Sequence, residues 1–151
     1  MTTRRESILA RIKSNLDAIT GATVHRIRTT PLARADVPAI VLEPVTDDPT
    51  EGLVYSKTDW SLRVKVSVFV RANAPGNSAD ALVEKVHEKI MADPTCNGNA
   101  LDLHAATTNF SFHDADMPLG VVHMDYLGTY RNHREDLTPT QISSLADPTR
   151  P

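Results

Sequence analysis

Apolar and polar residues alternate almost without a break in WSLRVKVSVFVR, residues 60–71. One side of this segment carries Trp60, Leu62, Val64, Val66, Val68 and Val70, and the other carries Ser61, Arg63, Lys65, Ser67 and Arg71, with Phe69 as the exception. A period of two predicts a β-strand with one buried face. At ~3.3 Å per residue the strand would span ~40 Å, about twice a typical strand. We therefore expect it to extend past its own core, where a neighbouring subunit is a natural source of cover.

Helical periodicity appears first near the amino terminus. Apolar residues recur three and four positions apart, the spacing of one buried helix face, at Ile8, Leu9, Ile12, Leu16 and Ile19. Thr3 and Glu6 form a T-x-x-E capping box, whose side chains can bond the free amides of a helix start. Gly21 suits the left-handed residue that follows a helix end. The pattern predicts a helix over residues 4–19.

A second helix is predicted at about residues 78–92. Its apolar stripe consists of Ala79, Leu82, Val83, Val86 and Ile90. Asn77 or Ser78 can cap its start, after the turn-forming sequence NAPGNS at 73–78. Pro94 ends the helix, because the residue before a proline is pushed out of the helical region.

The remaining chain predicts further strands. Residues 23–32 and 38–45 are short apolar segments bounded by prolines, which cannot donate to a sheet ladder. Residues 46–59 begin as an acidic turn and return as one arm of a hairpin, whose other arm is 60–71. Strand-like segments follow at 101–112 and 120–132. Strands in runs favour an α+β fold, with a mostly antiparallel sheet, two helices packed on one face and a long β-hairpin. We expect a single domain over 1–136 and an extended or disordered tail over 137–151.

Composition narrows the class of protein. The 151 residues are 40% hydrophobic and 23% charged, as in ordinary globular domains. The net charge of −3 argues against a large electrostatic grip on nucleic acid. Cys96 is the single cysteine, so no internal disulfide is expected and a reducing compartment is the simplest interpretation. No secretory signal and no run of apolar residues long enough for a membrane span is apparent. A soluble protein made in the cytoplasm is expected.

Histidines and aspartates are the candidates for metal chemistry. His104, His113, His123 and His133 are nine or ten residues apart, and Asp114 with Asp116 lies beside His113. A metal-dependent enzyme or binding domain on His104, His113, Asp114, Asp116 and His123 is therefore an alternative. The spacing lacks the tight ligand pairs of zinc motifs, and the aspartates also suit a turn before Pro118. We expect no metal, no cofactor and no catalytic set, and we interpret Cys96 as a bystander because no base is identified beside it.

Basic residues on the polar side of the long strand have two interpretations. Arg63, Lys65 and Arg71 can form a solvated face whose charges prevent edge pairing. They can equally form a contact surface for an acidic partner. The sequence alone leaves both interpretations open.

The layout of several segments resembles a known family. The chain is similar to the phage tail-terminator family, also called minor tail protein U-like. The similarity lies in the order and character of five segments: the helix ILARIKSNL, the proline-bounded LARADVPAIVLEPV, the strand LRVKVSVFVR, the segment ADALVEKVHEKIMADPT and the segment DADMPLGVVHMDYLGTYRNHREDLT. The similarity covers about residues 5–138 and rests on layout and residue texture. The family has no invariant catalytic signature.

The resemblance implies a non-enzymatic virion protein of the tail or neck. Such proteins cap a finished tail tube as a hexameric ring, stop tube polymerisation and present a surface to the head or its connector. The implied partners are copies of the chain itself, the major tail tube protein and a head-completion or connector protein. The resemblance implies no membrane and no sequence-specific binding of nucleic acid. DNA can nevertheless pass through such a ring. Expected contact residues are Asp47, Asp48, Tyr55, Arg63, Lys65, Arg71, Asp114 and Asp116. Another head–tail neck or completion protein, or an uncharacterised binding module, is an alternative.

Overall fold

Two helices and five strands make up the described chain. The computed structural model describes residues 2–26, 38–51, 56–72, 75–113, 118–135 and 137. The elements are α1 (Arg4–Asp17), β1 (Thr23–Arg26), β2 (Ala39–Glu51), β3 (Lys57–Arg71), α2 (Pro75–Met91), β4 (Asp102–His113) and β5 (Leu119–His133). Residues 138–151, where most of the tail is predicted, lie outside the described residues.

The strands form one sheet in the order β1-β2-β3-β5-β4. Only the short β1 runs parallel to its neighbour, β2, and the other pairs are antiparallel. Both helices pack on the same face of this sheet, where their apolar stripes join the strands in one core cluster. The predicted α+β fold is therefore confirmed.

The helices follow the sequence prediction closely, with shifted ends. In α1 the Thr3 side chain accepts a hydrogen bond from the amide of Glu6 at 3.1 Å, as in the predicted capping box. The Glu6 carboxylate does not complete the box, since Arg26 of β1 binds it at 2.5 Å. Helix α2 begins at Pro75, earlier than predicted, because proline suits the first helical position where its missing donor has no partner to lose. The turn predicted at 73–78 is therefore wrong from Pro75 onward.

Strand β2 differs most from the prediction. It does not end at Pro44 but continues to Glu51, so the acidic turn predicted from residue 46 is wrong for the described residues. Among the described residues, no strand pairs with β2 beyond Leu42 on its β1 side. An outer edge tolerates prolines that an inner strand would not. A bulge at Val45 shifts the register between Pro44 and Thr46. A long hairpin is present as predicted, but its arms are β2 and β3, so that the first arm begins at Ala39 and the second already at Lys57.

Strand β3 lies at the centre of the sheet and is paired along its length. It pairs with β2 from Thr58 to Phe69 and with β5 from Lys57 to Arg71. Its core-facing residues Leu62, Val64, Val66, Val68 and Val70 are all buried within the chain itself. Most of the strand therefore needs no cover from a second subunit, contrary to the expectation from its length. Only residues 57–61 extend past the buried apolar set.

Candidate functional site

The end of the sheet beyond the core is one candidate contact surface. We call it the hairpin end, comprising residues 48–51 of β2, 57–61 of β3 and 131–133 of β5. None of its described side chains belongs to the fully buried apolar set, and Asp48, Pro49 and Thr50 are exposed. Three adjacent strands therefore continue past the hydrophobic core into a polar end.

Charged side chains hold the hairpin end in a fixed arrangement. The Arg131 guanidinium donates to the Asp59 carboxylate at 2.6 and 3.2 Å, and this bond raises the pKa of Arg131. The Lys57 ammonium lies 2.7 Å from Nδ1 of His133, and burial followed by the nearby Arg131 charge lowers the pKa of Lys57. A two-pronged arginine–carboxylate contact fixes orientation better than a single bond does. The hairpin end is therefore a built structure and not a loose loop.

The two acidic residues predicted for contact differ in their surroundings. Asp47 accepts hydrogen bonds from the Tyr130 hydroxyl and, at 2.9 Å, from Arg5 of α1, and its side chain is 8% exposed. That carboxylate serves the internal structure of the chain. Asp48 points away from the core on the exposed hairpin end and is available to a partner. Tyr55, Asp114 and Asp116 lie outside the described residues.

Arg63 and Lys65 are each paired within the chain. Nη1 of Arg63 lies 2.9 Å from the Asp125 carboxylate, and Nζ of Lys65 lies 3.1 Å from Glu43. All four side chains sit on the sheet face opposite the helices. Neighbouring carboxylates therefore neutralise the basic strip, which favours a solvated, self-paired face over a strong site for an acidic partner. Their role in subunit contact stays a prediction.

Arg71 lies apart from that strip, at the end of β3. It lines an open groove of about 380 Å³ between the end of α1 and the start of α2, together with Lys85. The other lining residues are Thr20, Gly21, Pro38, Val70, Ala72, Ser78, Ala81 and Leu82. No carboxylate belongs to this described lining, so the groove has a positive character.

The histidines proposed as metal ligands do not converge in the described structure. His104 lies opposite Leu127 and His123 lies opposite Asn109, so the two are four β5 positions apart, or roughly 13 Å at the strand rise. Zinc-bound nitrogens lie ~2.0–2.1 Å from one ion, which that separation forbids. Nδ1 of His123 is instead 2.7 Å from the Ser67 hydroxyl. No group of three metal-ligating side chains occurs among the described residues.

Cys96 is buried in the loop after α2. Burial raises the pKa of its thiol to about 11, and the nearby Asp93 charge acts in the same direction. Its backbone is left-handed, with φ of 49°, and continues through Asn97 and Gly98 in the same region. A thiol that is protonated and shielded from solvent is a poor nucleophile. The geometry agrees with the interpretation of Cys96 as a bystander.

Strand β4 presents a surface that the sequence did not identify. It pairs only with β5, so its outer edge is open along the described chain. Phe110 is 62% exposed and Phe112 is 55% exposed, and both project on the helix side of the sheet. Phe112 lies beside Gly76 in the first turn of α2. The sequence FSF at residues 110–112 indicates that both rings lie on the same face of a strand. Their exposure to solvent depends on the position of β4 at the edge of the sheet, which the sequence pattern does not contain.

Comparisons with known proteins leave the family open. The sequence matches no protein-family model and no curated protein. Among the described helices, neither α1 nor α2 has the length and apolar character that a membrane span requires.

Proposed function

We propose that this chain is a structural phage virion protein that caps the tail tube as a ring. In that role it ends tail polymerisation and forms the surface that meets the head or its connector. The proposal rests on the similarity of residues 5–138 to tail terminators and on an α+β fold of the expected kind. Its site of action is the virion tail or neck, after synthesis in the bacterial cytoplasm.

The observation that carries the proposal is the hairpin end. Three strands continue past the core into an ordered polar platform with Asp48, Pro49 and Thr50 exposed. Of its apolar side chains only Trp60 packs against the edge of the chain's own core, whereas the projection offers a rigid arm to a neighbour. A ring needs each subunit to place one patch against a different patch of the next, so that the contact closes. The hairpin end supplies one of those two patches.

Microscopy with purified tail tubes tests the assignment directly. The full chain mixed with tubes should appear as a ring at one tube end in negative stain, and deletion of its gene should give overlong tails. A protein that never associates with tubes, and whose deletion leaves tail length unchanged, would refute the proposal. A ring on the head connector, and none on tubes, would instead indicate another neck protein.

Charge substitutions at the hairpin end locate the contact. Asp48→Lys and Thr50→Lys alter exposed side chains and should leave folding intact while removing the ring from tube ends. Glu84→Lys, on the exposed side of α2, is a matched control with the same kind of charge change. If all three variants cap tubes equally well, the hairpin end is not the contact.

A further inference from the structure

Two edges of the sheet remain open in the described chain, and they differ in chemistry. The outer edge of β2 beyond Leu42 carries Pro44, Pro49 and the bulge at Val45. Prolines and bulges are devices that prevent an edge from pairing with another strand. Strand β4, Asp102–His113, contains no proline, lysine or arginine over 12 residues. Apart from a bulge between Ala105 and Thr108, which divides it into two ladder segments, the β4 edge therefore lacks these protections.

The exposed rings stand beside this unprotected edge. Phe110 and Phe112 point to the same side as α2, and the ring of Phe112 lies near Gly76. A lone exposed apolar residue is ordinary on protein surfaces, but two large rings in alternate positions of an open edge strand form a patch.

We infer that two copies of this chain pair antiparallel through the 108–113 segment of β4, with Phe110 of one copy opposite Phe112 of the other, joining their sheets across a twofold axis. With the axis perpendicular to the sheet, both helix layers stay on the same side. Phe110 and Phe112 of one copy then meet those of the other between the two α2 helices. The contact is isologous, since the same patch serves both partners.

Charge favours a second copy as the occupant of this edge. Asp102 is the only acidic residue of β4, which contains no lysine or arginine, and it stands at one end of the strand. Antiparallel pairing places the Asp102 residues of the two copies at opposite ends, so that no like charges meet. The phenylalanine pair is also self-complementary, since apolar rings meet apolar rings.

The exposed rings supply part of the area that a stable contact needs. At 62% and 55% exposure, Phe110 and Phe112 each present roughly 100 Å² to solvent. Four rings from two copies would bury roughly 400 Å², about a quarter of a standard interface of ~1,600 Å². The remainder would come from the strand edges and from the flanks of α2. The dimer goes beyond the proposed function and does not depend on it, because it uses β4 and not the hairpin end.

Sedimentation of the full chain without tail tubes tests the dimer. We expect a dimer at micromolar concentration, and the double variant Phe110→Ser/Phe112→Ser should raise its dissociation constant about 100-fold or more. Both rings are exposed, so circular dichroism of the variant should match that of the parent chain. Leu101→Ser, which removes an equally exposed apolar residue just before β4, is the matched control and should leave the dimer intact. A monomer at about 50 μM, a concentration far above that expected for dimer formation, or a dimer indifferent to loss of both rings, would overturn the inference.

Crosslinking establishes which edge meets which. Cys96 is buried, so Asn109→Cys or Ser111→Cys supplies the accessible thiol on β4. A short bifunctional thiol reagent should link two such copies to each other, whereas Ala10→Cys on the exposed side of α1 should give no link. Absence of a β4 link in a protein that does associate would show a different interface and overturn the inference. Ring formation on tubes is measured separately, so either proposal can fail alone.

Discussion

The Tyr130 hydroxyl on β5 donates a hydrogen bond to the Asp47 carboxylate on β2, across the full width of β3. Trp60 of β3 lies between them in the sheet and stacks on Tyr130, with ring centroids 6.3 Å apart and planes 8° from parallel. Arg5 of α1 binds the same carboxylate. One carboxylate thus ties three elements together where the core ends and the hairpin end begins.

Tyr130→Phe should destabilise the chain by roughly 1.5–3 kcal/mol, the range for hydrogen bonds to charged groups. Burial, followed by the bond to Asp47, raises the pKa of Tyr130 well above its usual value, so the hydroxyl is protonated and donating throughout the neutral range. Urea unfolding at pH 7 measures the loss. Tyr126→Phe is the control, because its hydroxyl forms a hydrogen bond of 2.8 Å with the imidazole of the exposed His87, and the loss of that bond should cost about 1 kcal/mol. Equal losses in both variants would contradict a special role for Asp47.

Arg4→Met should destabilise the chain by roughly 1–3 kcal/mol, because one buried and one part-buried acceptor lose their donor. Arg4 is 2% exposed, and its guanidinium donates to Oδ1 of Asn132 at 3.0 Å and to the Asn99 carbonyl at 3.2 Å. Methionine keeps the apolar stem, so the change isolates the polar contacts.

Arg11→Met provides the comparison for Arg4. Arg11 is paired with Asp93 at 2.7 Å, but its side chain is 42% exposed, and exposed ion pairs contribute about 0–1 kcal/mol. Urea unfolding of both variants should therefore separate a buried cation from a surface one. A larger loss for Arg11→Met than for Arg4→Met would contradict the expected order.

The predictable part of the fold is the part set by local chemistry. Ile8, Leu9, Ile12 and Leu16 are buried in α1 as their spacing requires, and β3 alternates as its sequence indicates. The continuation of β2 through Pro44 was not predictable in the same way. Whether a proline ends a strand depends on whether its missing donor faces a partner strand or an open edge. That depends on strand order, which local patterns do not contain.

The candidate surfaces depend even more on strand order. Arg63 and Asp125 are distant in the sequence and meet only because β3 and β5 are neighbours. This strand pairing neutralises Arg63, and Glu43 of β2, on the other side of β3, neutralises Lys65. In the same way, Phe110 and Phe112 are exposed because β4 lies at the edge of the sheet, where α2 covers their rings only in part. Sequence periodicity assigns residues to a face, but only the sheet order decides what covers that face.

His123 should make stability fall as pH drops below neutral. Burial, followed by the nearby Lys65 charge, lowers its pKa in the folded chain below the ordinary 6.5. The unfolded chain therefore binds a proton at His123 more readily than the folded chain does. Neutral His123 contributes its full share to the free energy of unfolding above about pH 6.5. That share is lost as the pH falls from there through the pKa of His123 in the folded chain. The groups around it are Lys65, Glu43, Asp125 and the Ser67 hydroxyl.

Urea midpoints between pH 7 and pH 5 measure this dependence. His123→Gln should flatten the slope, whereas His104→Gln, at an exposed position on β4, should keep it. Glu6 and Asp93 have lowered pKa values in the folded chain. Their contributions to the free energy of unfolding are therefore lost only at more acidic pH, outside this window. A slope in His123→Gln equal to that of the parent chain would assign the pH dependence to another group.

Gly120→Ala should destabilise the chain by roughly 1–3 kcal/mol, the range for overpacking a filled site. A Cβ at Gly120 would lie 3.1 Å from both the Cβ and the carbonyl oxygen of Pro75, where β5 passes under the first turn of α2. Backbone atoms of a helix start cannot withdraw without moving the helix, so the clash persists.

At Gly128 the new Cβ would meet Cδ1 of Leu103 at 3.0 Å, and the end of a side chain can shift by a few tenths of an ångström. Gly128→Ala also lowers the entropy of the unfolded chain, which offsets about 0.4–1 kcal/mol of any strain. The midpoint of thermal unfolding should therefore be well below that of Gly128→Ala in the Gly120→Ala variant. The reverse order of the two midpoints would show that α2 is free to move away from β5.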